Sequence, residues 1–111
     1  MATGYPTQKL LIVAKRVHEA LSNKNFTHCF LGGLELILLG FERTTTDVDV
    51  AVKKQFFSLN NVKTIGTAFA DNMNIFRVMD GTRQDGFRML CNCNEDLDGT
   101  PEWIGVDVLI G

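Results

Sequence analysis

The order of apolar and polar positions along the chain predicts a succession of short helices and strands. Over residues 8–22 the apolar side chains recur three or four positions apart, which is typical of an amphipathic helix, and Thr7 is placed to cap its first turn. An apolar and aromatic run over Phe26–Leu31 predicts a buried strand that stops at the Gly32-Gly33 pair. The next apolar stretch, Leu34–Leu39, predicts a short buried helix.

Strand patterns dominate the second part of the chain. Acidic and apolar residues alternate strictly over Asp47–Val52, whereas the interval 56–72 is ambiguous, although its apolar spacing favours a helix. Strand-like runs over 74–79 and 87–93 flank a turn-rich segment and predict an antiparallel hairpin, and Ile104–Ile110 predicts a final strand. This order predicts an α/β (α+β) fold in which helices pack on a mixed, mostly antiparallel sheet.

Composition limits the classes of protein to which the chain belongs. A length of 111 residues with 45% hydrophobic and 22% charged residues predicts one globular domain over 1–111. The net charge of −2 argues against binding duplex nucleic acid through counterion release. No apolar run reaches the roughly 18 to 20 residues of a membrane span, and the odd set of three cysteines does not suit a disulfide framework. We therefore expect a soluble, cytoplasmic protein with no membrane segment.

Two acids on one predicted strand are the first candidate for chemistry. Side chains two positions apart on a strand point to the same face, so Asp47 and Asp49 project together while Val48 and Val50 point to the core. Paired carboxylates repel each other unless a cation or a proton intervenes, and hard oxygen ligands of this kind favour Mg²⁺ or Mn²⁺. Taken alone, an isolated acidic pair is more often a solvated strand face than a metal site.

Two further features strengthen the acidic pair. The Gly32-Gly33 pair lies between a predicted strand and a predicted helix, where bare backbone N–H groups approach a phosphate closely, although such a pair also serves tight turns. Asp107 lies in the middle of an apolar strand, where a charge is costly to bury unless it is paired or bound to a metal.

Together these residues resemble the nucleotidyltransferase superfamily, the fold shared by DNA polymerase beta and nucleotide-adding enzymes. The resemblance rests on three motifs in order, which are Leu31-Gly32-Gly33, Asp47-Val48-Asp49-Val50 and Val106-Asp107-Val108. The stretch from Gly32 to Asp49, with its Arg and Thr lead-in to the paired acids, is similar to the branch that includes abortive-infection toxins.

The resemblance implies a role for each matching residue. Three residues would be catalytic and would bind one or two Mg²⁺ (or Mn²⁺) ions, namely Asp47, Asp49 and Asp107. Among them, Asp107 would also act as the base toward the attacking hydroxyl. Four residues would bind the nucleotide, namely Gly32, Gly33, Arg43 and Thr46. For Arg43 a surface ion pair with Asp47 is an equal alternative.

The resemblance also implies an activity and raises a question of completeness. The expected reaction moves a nucleotidyl group from a nucleoside triphosphate to a hydroxyl of an unidentified acceptor, which is a protein, an RNA or a small molecule. Relatives usually continue into C-terminal helices beyond the last motif, so we expect a truncated or minimal domain, a second chain that completes the cleft, or a unit that keeps the sheet without efficient catalysis. The alternative function is a noncatalytic nucleotide- or protein-binding module.

The apolar residues Val106, Val108 and Ile110 on the last strand predict a homodimer, because a terminal strand needs cover.

Some conspicuous residues are better explained by the core than by a site. Cys91 and Cys93, with Cys29 and His28, lack the spacing of a zinc site, which favours buried structural cysteines. Trp103 is also more typical of a core residue than of a base-stacking platform.

Overall fold

The structure is a computed structural model that describes residues 7–32, 47–79 and 85–111. Its elements in chain order are α1 (Thr7–Asn23), β1 (His28–Leu31), β2 (Asp47–Val52), α2 (Asn61–Ala70), β3 (Phe76–Val78), β4 (Gly86–Asn92) and β5 (Trp103–Ile110). The predicted opening helix, all five predicted strands and the antiparallel pairing of the hairpin are therefore confirmed within a few residues. The helix predicted over Leu34–Leu39 lies outside the described residues.

The five strands form one mixed sheet in the order β1-β2-β5-β4-β3. Strands β2 and β5 are parallel, and the other three neighbouring pairs are antiparallel. This arrangement confirms the predicted α+β fold with a mixed, mostly antiparallel sheet. Because β2 and β5 are parallel, the chain must cross from the end of β2 back to the start of β5. This crossover connection contains α2 and the β3–β4 hairpin.

The hydrophobic core lies on one face of the sheet, where both described helices pack. Along β2 the residues alternate between buried and half-buried, and Val48 and Val50 are fully buried. Phe69 of α2 packs edge-on against Phe76 and Phe87, with ring centroids 4.9 Å and 6.1 Å away. Each such buried side chain contributes about 1.5–3 kcal/mol, so this face provides most of the stability of the fold.

Helix α2 occupies only the second part of the ambiguous interval 56–72. Asn60 is its N-cap, with an extended backbone and a side-chain oxygen that accepts a hydrogen bond from the Lys63 amide at 3.1 Å. The cap fixes where the helix begins, so Phe56, Phe57 and Leu59 precede it and are exposed. The apolar residues of this interval therefore begin before the helix does, which is why the sequence pattern did not show where the helix starts.

The positions of β1 and β5 in the sheet correct two predictions. Strand β1 was expected to be buried, but within the described sheet it lies at the edge with no fully buried residue, and Cys29 is exposed on it. Strand β5 was expected to need cover, but it lies between β2 and β4, and the chain itself buries Val106 and Val108 completely. The stated reason for a homodimer is therefore wrong, and the homodimer stays a prediction.

The remaining cysteines and the tryptophan divide between the core and the open face. Cys91 and Cys93 are buried as predicted, and burial raises the pKa of the Cys91 thiol to about 12, which makes it unreactive. Trp103 was expected in the core, but it is half-buried, and the Arg77 guanidinium lies 4.3 Å from its ring centroid. None of the described helices is long and apolar enough to cross a membrane.

Candidate active site

The parallel register of β2 and β5 brings the three predicted acids to one face of the sheet. Asp49 is paired with Asp107 across the two strands, and Asp47 is paired with Gly105. Because residues paired across neighbouring strands share a face, all three carboxylates lie opposite the valine core. Each of the three residues is only partly buried. The structure therefore brings Asp47, Asp49 and Asp107 together; the strand pattern predicted this for the first two, and the resemblance implied it for Asp107.

An arginine lies between these acids that the sequence analysis missed. Arg88 on β4 is paired with Asp107 across the β4–β5 ladder. Its Nη1 donates a hydrogen bond to Asp107 Oδ2 at 3.1 Å, and its Nη2 donates to Asp47 Oδ1 at 3.1 Å. One guanidinium thus bridges carboxylates from two different strands, an arrangement that the planar fork of arginine suits and a lysine does not.

Gly105 provides the space in which this bridge forms. A Cβ atom at this position would overlap the Arg88 guanidinium and would lie 2.7 Å from Asp47 Oδ1. Any other residue would therefore push the arginine or the aspartate aside. In the sequence, the role of Gly105 is indicated only by the presence of a glycine inside a strand, because such a glycine often marks a place where other groups approach the backbone closely.

The backbone at the end of β1 lies beside the acids. Gly32 has a φ of +66°, in the left-handed region that favours glycine. A Cβ atom on Gly32 would lie 3.4 Å from Asp49 Oδ2, so the bare backbone is in contact range of this carboxylate. Gly33, Arg43 and Thr46, the other predicted nucleotide-binding residues, lie outside the described residues.

The site contains three neighbouring carboxylates and one arginine, so negative charge exceeds positive charge among these four side chains. Burial raises the pKa of Asp49 above its usual value, and the charges of Asp107 and Asp47 raise it further, while Arg88 opposes them. The hydrogen bond to Asp47 raises the pKa of the Arg88 guanidinium, so it remains charged. The three acids therefore attract more positive charge than one arginine supplies.

The chemistry of the donors suits a divalent cation, but Arg88 holds part of the set. Carboxylate oxygens are the ligands that Mg²⁺ and Mn²⁺ prefer, and burial together with the charges of Asp107 and Asp47 raises the pKa of Asp49. Within 7–32, 47–79 and 85–111, however, no group of three or more His, Cys, Asp or Glu side chains is arranged so that it could hold a metal ion. Asp47 and Asp107 point their oxygens at the guanidinium instead.

Comparison with known proteins supports the fold. No model of a known protein family matches the sequence, and no curated protein matches it. Among solved structures, the chain is similar to an antigenic nucleotidyltransferase-like protein from Paracoccidioides brasiliensis, with a TM-score of 0.62 and 17% identity. The similarity covers 93% of this chain and 46% of that protein, so the chain spans about half the length of the structure it matches. The fold of the described sheet and helices is therefore nucleotidyltransferase-like.

Proposed function

We propose that the chain is a metal-dependent nucleotidyltransferase that moves a nucleotidyl group from a nucleoside triphosphate to a hydroxyl of an acceptor. The observation that carries the proposal is the β2–β5 register, which gathers Asp47, Asp49 and Asp107 on one open face beside the bare backbone of Gly32. The nucleotidyltransferase-like fold adds support. A face built only for stability gains nothing from three converging carboxylates.

The roles in this proposal follow from the positions of the residues. Asp47 and Asp49 are to hold Mg²⁺ or Mn²⁺, which when bound neutralises negative charge on the transferring phosphoryl group. The backbone of Gly32, which has a φ of +66° and no side chain, is to approach the phosphates. Asp107 is to accept the proton of the acceptor hydroxyl, whose oxygen bonds to the α-phosphorus while the bond to the pyrophosphate oxygen breaks. Pyrophosphate is then the leaving group.

The finer assignments belong to the same proposal. Gly33, Arg43 and Thr46 are to complete the binding of the triphosphate, and the sequence around them motivates a place in the abortive-infection toxin-like branch. The acceptor is a protein, an RNA or a small molecule. We further propose that residues 1–111 act as one domain in the cytoplasm and that two copies form a homodimer.

A second candidate function is a noncatalytic module that binds a nucleotide or a protein. The observation that favours it is the Arg88 bridge, which engages Asp47 and Asp107 through two hydrogen bonds of 3.1 Å. A site in which an arginine already engages two of the three acids can bind a ligand without turning it over.

Release of pyrophosphate separates the two candidate functions. Each of the four nucleoside triphosphates is incubated with Mg²⁺ or Mn²⁺ and candidate acceptors, and pyrophosphate is measured for the wild type, Asp49→Asn and Glu19→Gln. Glu19 is exposed on α1, so its variant makes the same carboxylate-to-amide change away from the acids. If the chain is the proposed enzyme, the wild type releases pyrophosphate. Asp49→Asn should lower this release by at least about a hundredfold, and Glu19→Gln should leave it unchanged. Triphosphate binding without any release favours the module.

A further inference from the structure

We infer that Arg88 is a resident cation of the acidic site and that its guanidinium competes with a divalent metal for the carboxylates of Asp47 and Asp107. This inference rests on the proposed function, because it concerns the cation that the same carboxylates bind. The guanidinium donates one hydrogen bond to each of the two carboxylates, both at 3.1 Å. These oxygens are the atoms that a metal needs.

The position of Arg88 is built by the sheet. It faces Asp107 in the β4–β5 register, and Asp47 faces Gly105 in the β2–β5 register. The three strands therefore set the arginine and both acids side by side, and the missing side chain of Gly105 leaves room for the guanidinium between them. The arginine side chain from β4 is therefore accommodated by two acids and one glycine that lie on β2 and β5.

The same geometry leaves the guanidinium free to move. The side chain of Arg88 is 41% exposed, and those of Asp47 and Asp107 are 40% and 28% exposed. A charge pair with this exposure is screened by water and holds only weakly. The arginine can therefore swing toward solvent without any change in the strands.

Competition follows because the guanidinium already engages one oxygen of each carboxylate, Asp107 Oδ2 and Asp47 Oδ1, and so leaves fewer acceptor sites for a metal. A divalent cation carries twice the charge of the arginine and would lie within a few ångströms of it, so each cation weakens the binding of the other. Asp49 is the exception among the three acids, because no hydrogen bond from Arg88 reaches it among the described contacts. Asp49 is therefore the carboxylate at which a metal first binds.

Binding of Mn²⁺ alone tests this inference without relying on activity. Free Mn²⁺ is measured by electron paramagnetic resonance during titration of the full chain as wild type, Arg88→Gln and Arg77→Gln. Arg77 is the matched control, since it lies exposed on β3 over Trp103 and its variant removes the same charge. We expect Arg88→Gln to bind Mn²⁺ about fivefold tighter than the wild type, and Arg77→Gln to differ from the wild type by less than about twofold.

A melting experiment adds a second readout and guards against loss of folding. Without metal, Arg88→Gln should melt below the wild type, because three carboxylates lose their cation; with Mn²⁺ it should gain more than the wild type does. Arg88→Lys keeps the charge but cannot bridge two carboxylates, so its affinity for Mn²⁺ should lie between the two and should be measurable even if Arg88→Gln does not fold.

The outcomes separate this inference from the proposed function. If the wild type and Arg88→Gln bind Mn²⁺ equally, or Arg88→Gln and Arg88→Lys bind it more weakly, Arg88 is not a competitor and the inference falls, while the metal site of the proposed function stands. If the folded wild type and all Arg88 variants bind no Mn²⁺ at millimolar concentration, both fall. An equal gain in Arg77→Gln and Arg88→Gln also overturns the inference, since net charge alone would explain it.

Discussion

The two faces of strands β2 and β5 differ in what the same alternation of residues provides. On the inner face Val48, Val50 and Val108 have no exposed surface, and the helices cover them. On the outer face Asp47 and Asp107 alternate with these valines and remain partly exposed around one arginine. The inner face therefore stabilises the fold by burying apolar surface, whereas the outer face holds repelling charges together at some cost in stability.

The largest expected effect is on the inner face. Phe69→Ala removes a ring that packs on Phe76 and Phe87, so we expect a loss of about 3–5 kcal/mol in the free energy of unfolding. The matched variant is Phe57→Ala, whose side chain is 100% exposed and should change stability by less than about 0.5 kcal/mol. Urea unfolding followed by circular dichroism measures both. Equal losses would mean that the described core does not stabilise the chain.

The next effect concerns the backbone where β1 meets the outer face. Gly32→Ala forces a side chain into a backbone with a φ of +66°, which should destabilise the chain by about 1–2 kcal/mol. Gly66→Ala is the control, because Gly66 lies inside α2 and an added Cβ would have no atom within 4 Å, so alanine should stabilise that helix by about 0.5–1 kcal/mol. The prediction fails if both substitutions shift the thermal midpoint in the same direction.

The smallest effect is the pH dependence of the outer face. Burial, Asp107 and Asp47 raise the pKa of Asp49, so the folded state binds this proton more tightly than the unfolded state does. Stability attributable to Asp49 should therefore fall as pH rises from the ordinary pKa of an aspartate through the raised one. Asp49→Asn should be more stable than the wild type at pH 7, and this advantage should vanish as the pH falls through the same interval.

Unfolding curves at several pH values measure that difference, with Glu19→Gln as the control for removing one charge. An advantage of Asp49→Asn that grows as the pH falls would have the wrong sign. It would show that the ionised carboxylate stabilises the fold and that Arg88 outweighs the burial and the neighbouring acids.

Local periodicity explains how much the sequence predicts. The alternation over Asp47–Val52 assigns the acids and the valines to opposite faces because the period of a strand is two residues, and the structure agrees. The charge of Asp107 in an apolar strand marked it as the third acid, the resemblance to nucleotidyltransferases implied that it joins the other two, and the register places it beside Asp49. The start of α2 at Asn61 was also within reach, since Asn60 is a typical N-cap residue.

Contacts between distant strands explain what the sequence does not predict. The central place of β5 and the edge place of β1 depend on the strand order, which no local pattern encodes. The role of Arg88 depends on its register with Asp107 and on the space above Gly105, two facts that appear only when β4 and β5 pair. A lone charge in the apolar run Phe87–Cys93 was its one signal in the sequence.

The most direct test of the central claim, that the outer face is a metal site, is a melting curve of the wild type and Asp49→Asn with and without millimolar Mn²⁺. A cation that binds only the folded state stabilises it by mass action, so the wild type should gain several degrees, or about 1 kcal/mol at a concentration several times its Kd. The gain should be much smaller in Asp49→Asn, which keeps the shape of the side chain and removes its charge. Equal gains in both proteins, or no gain in either, would contradict the account.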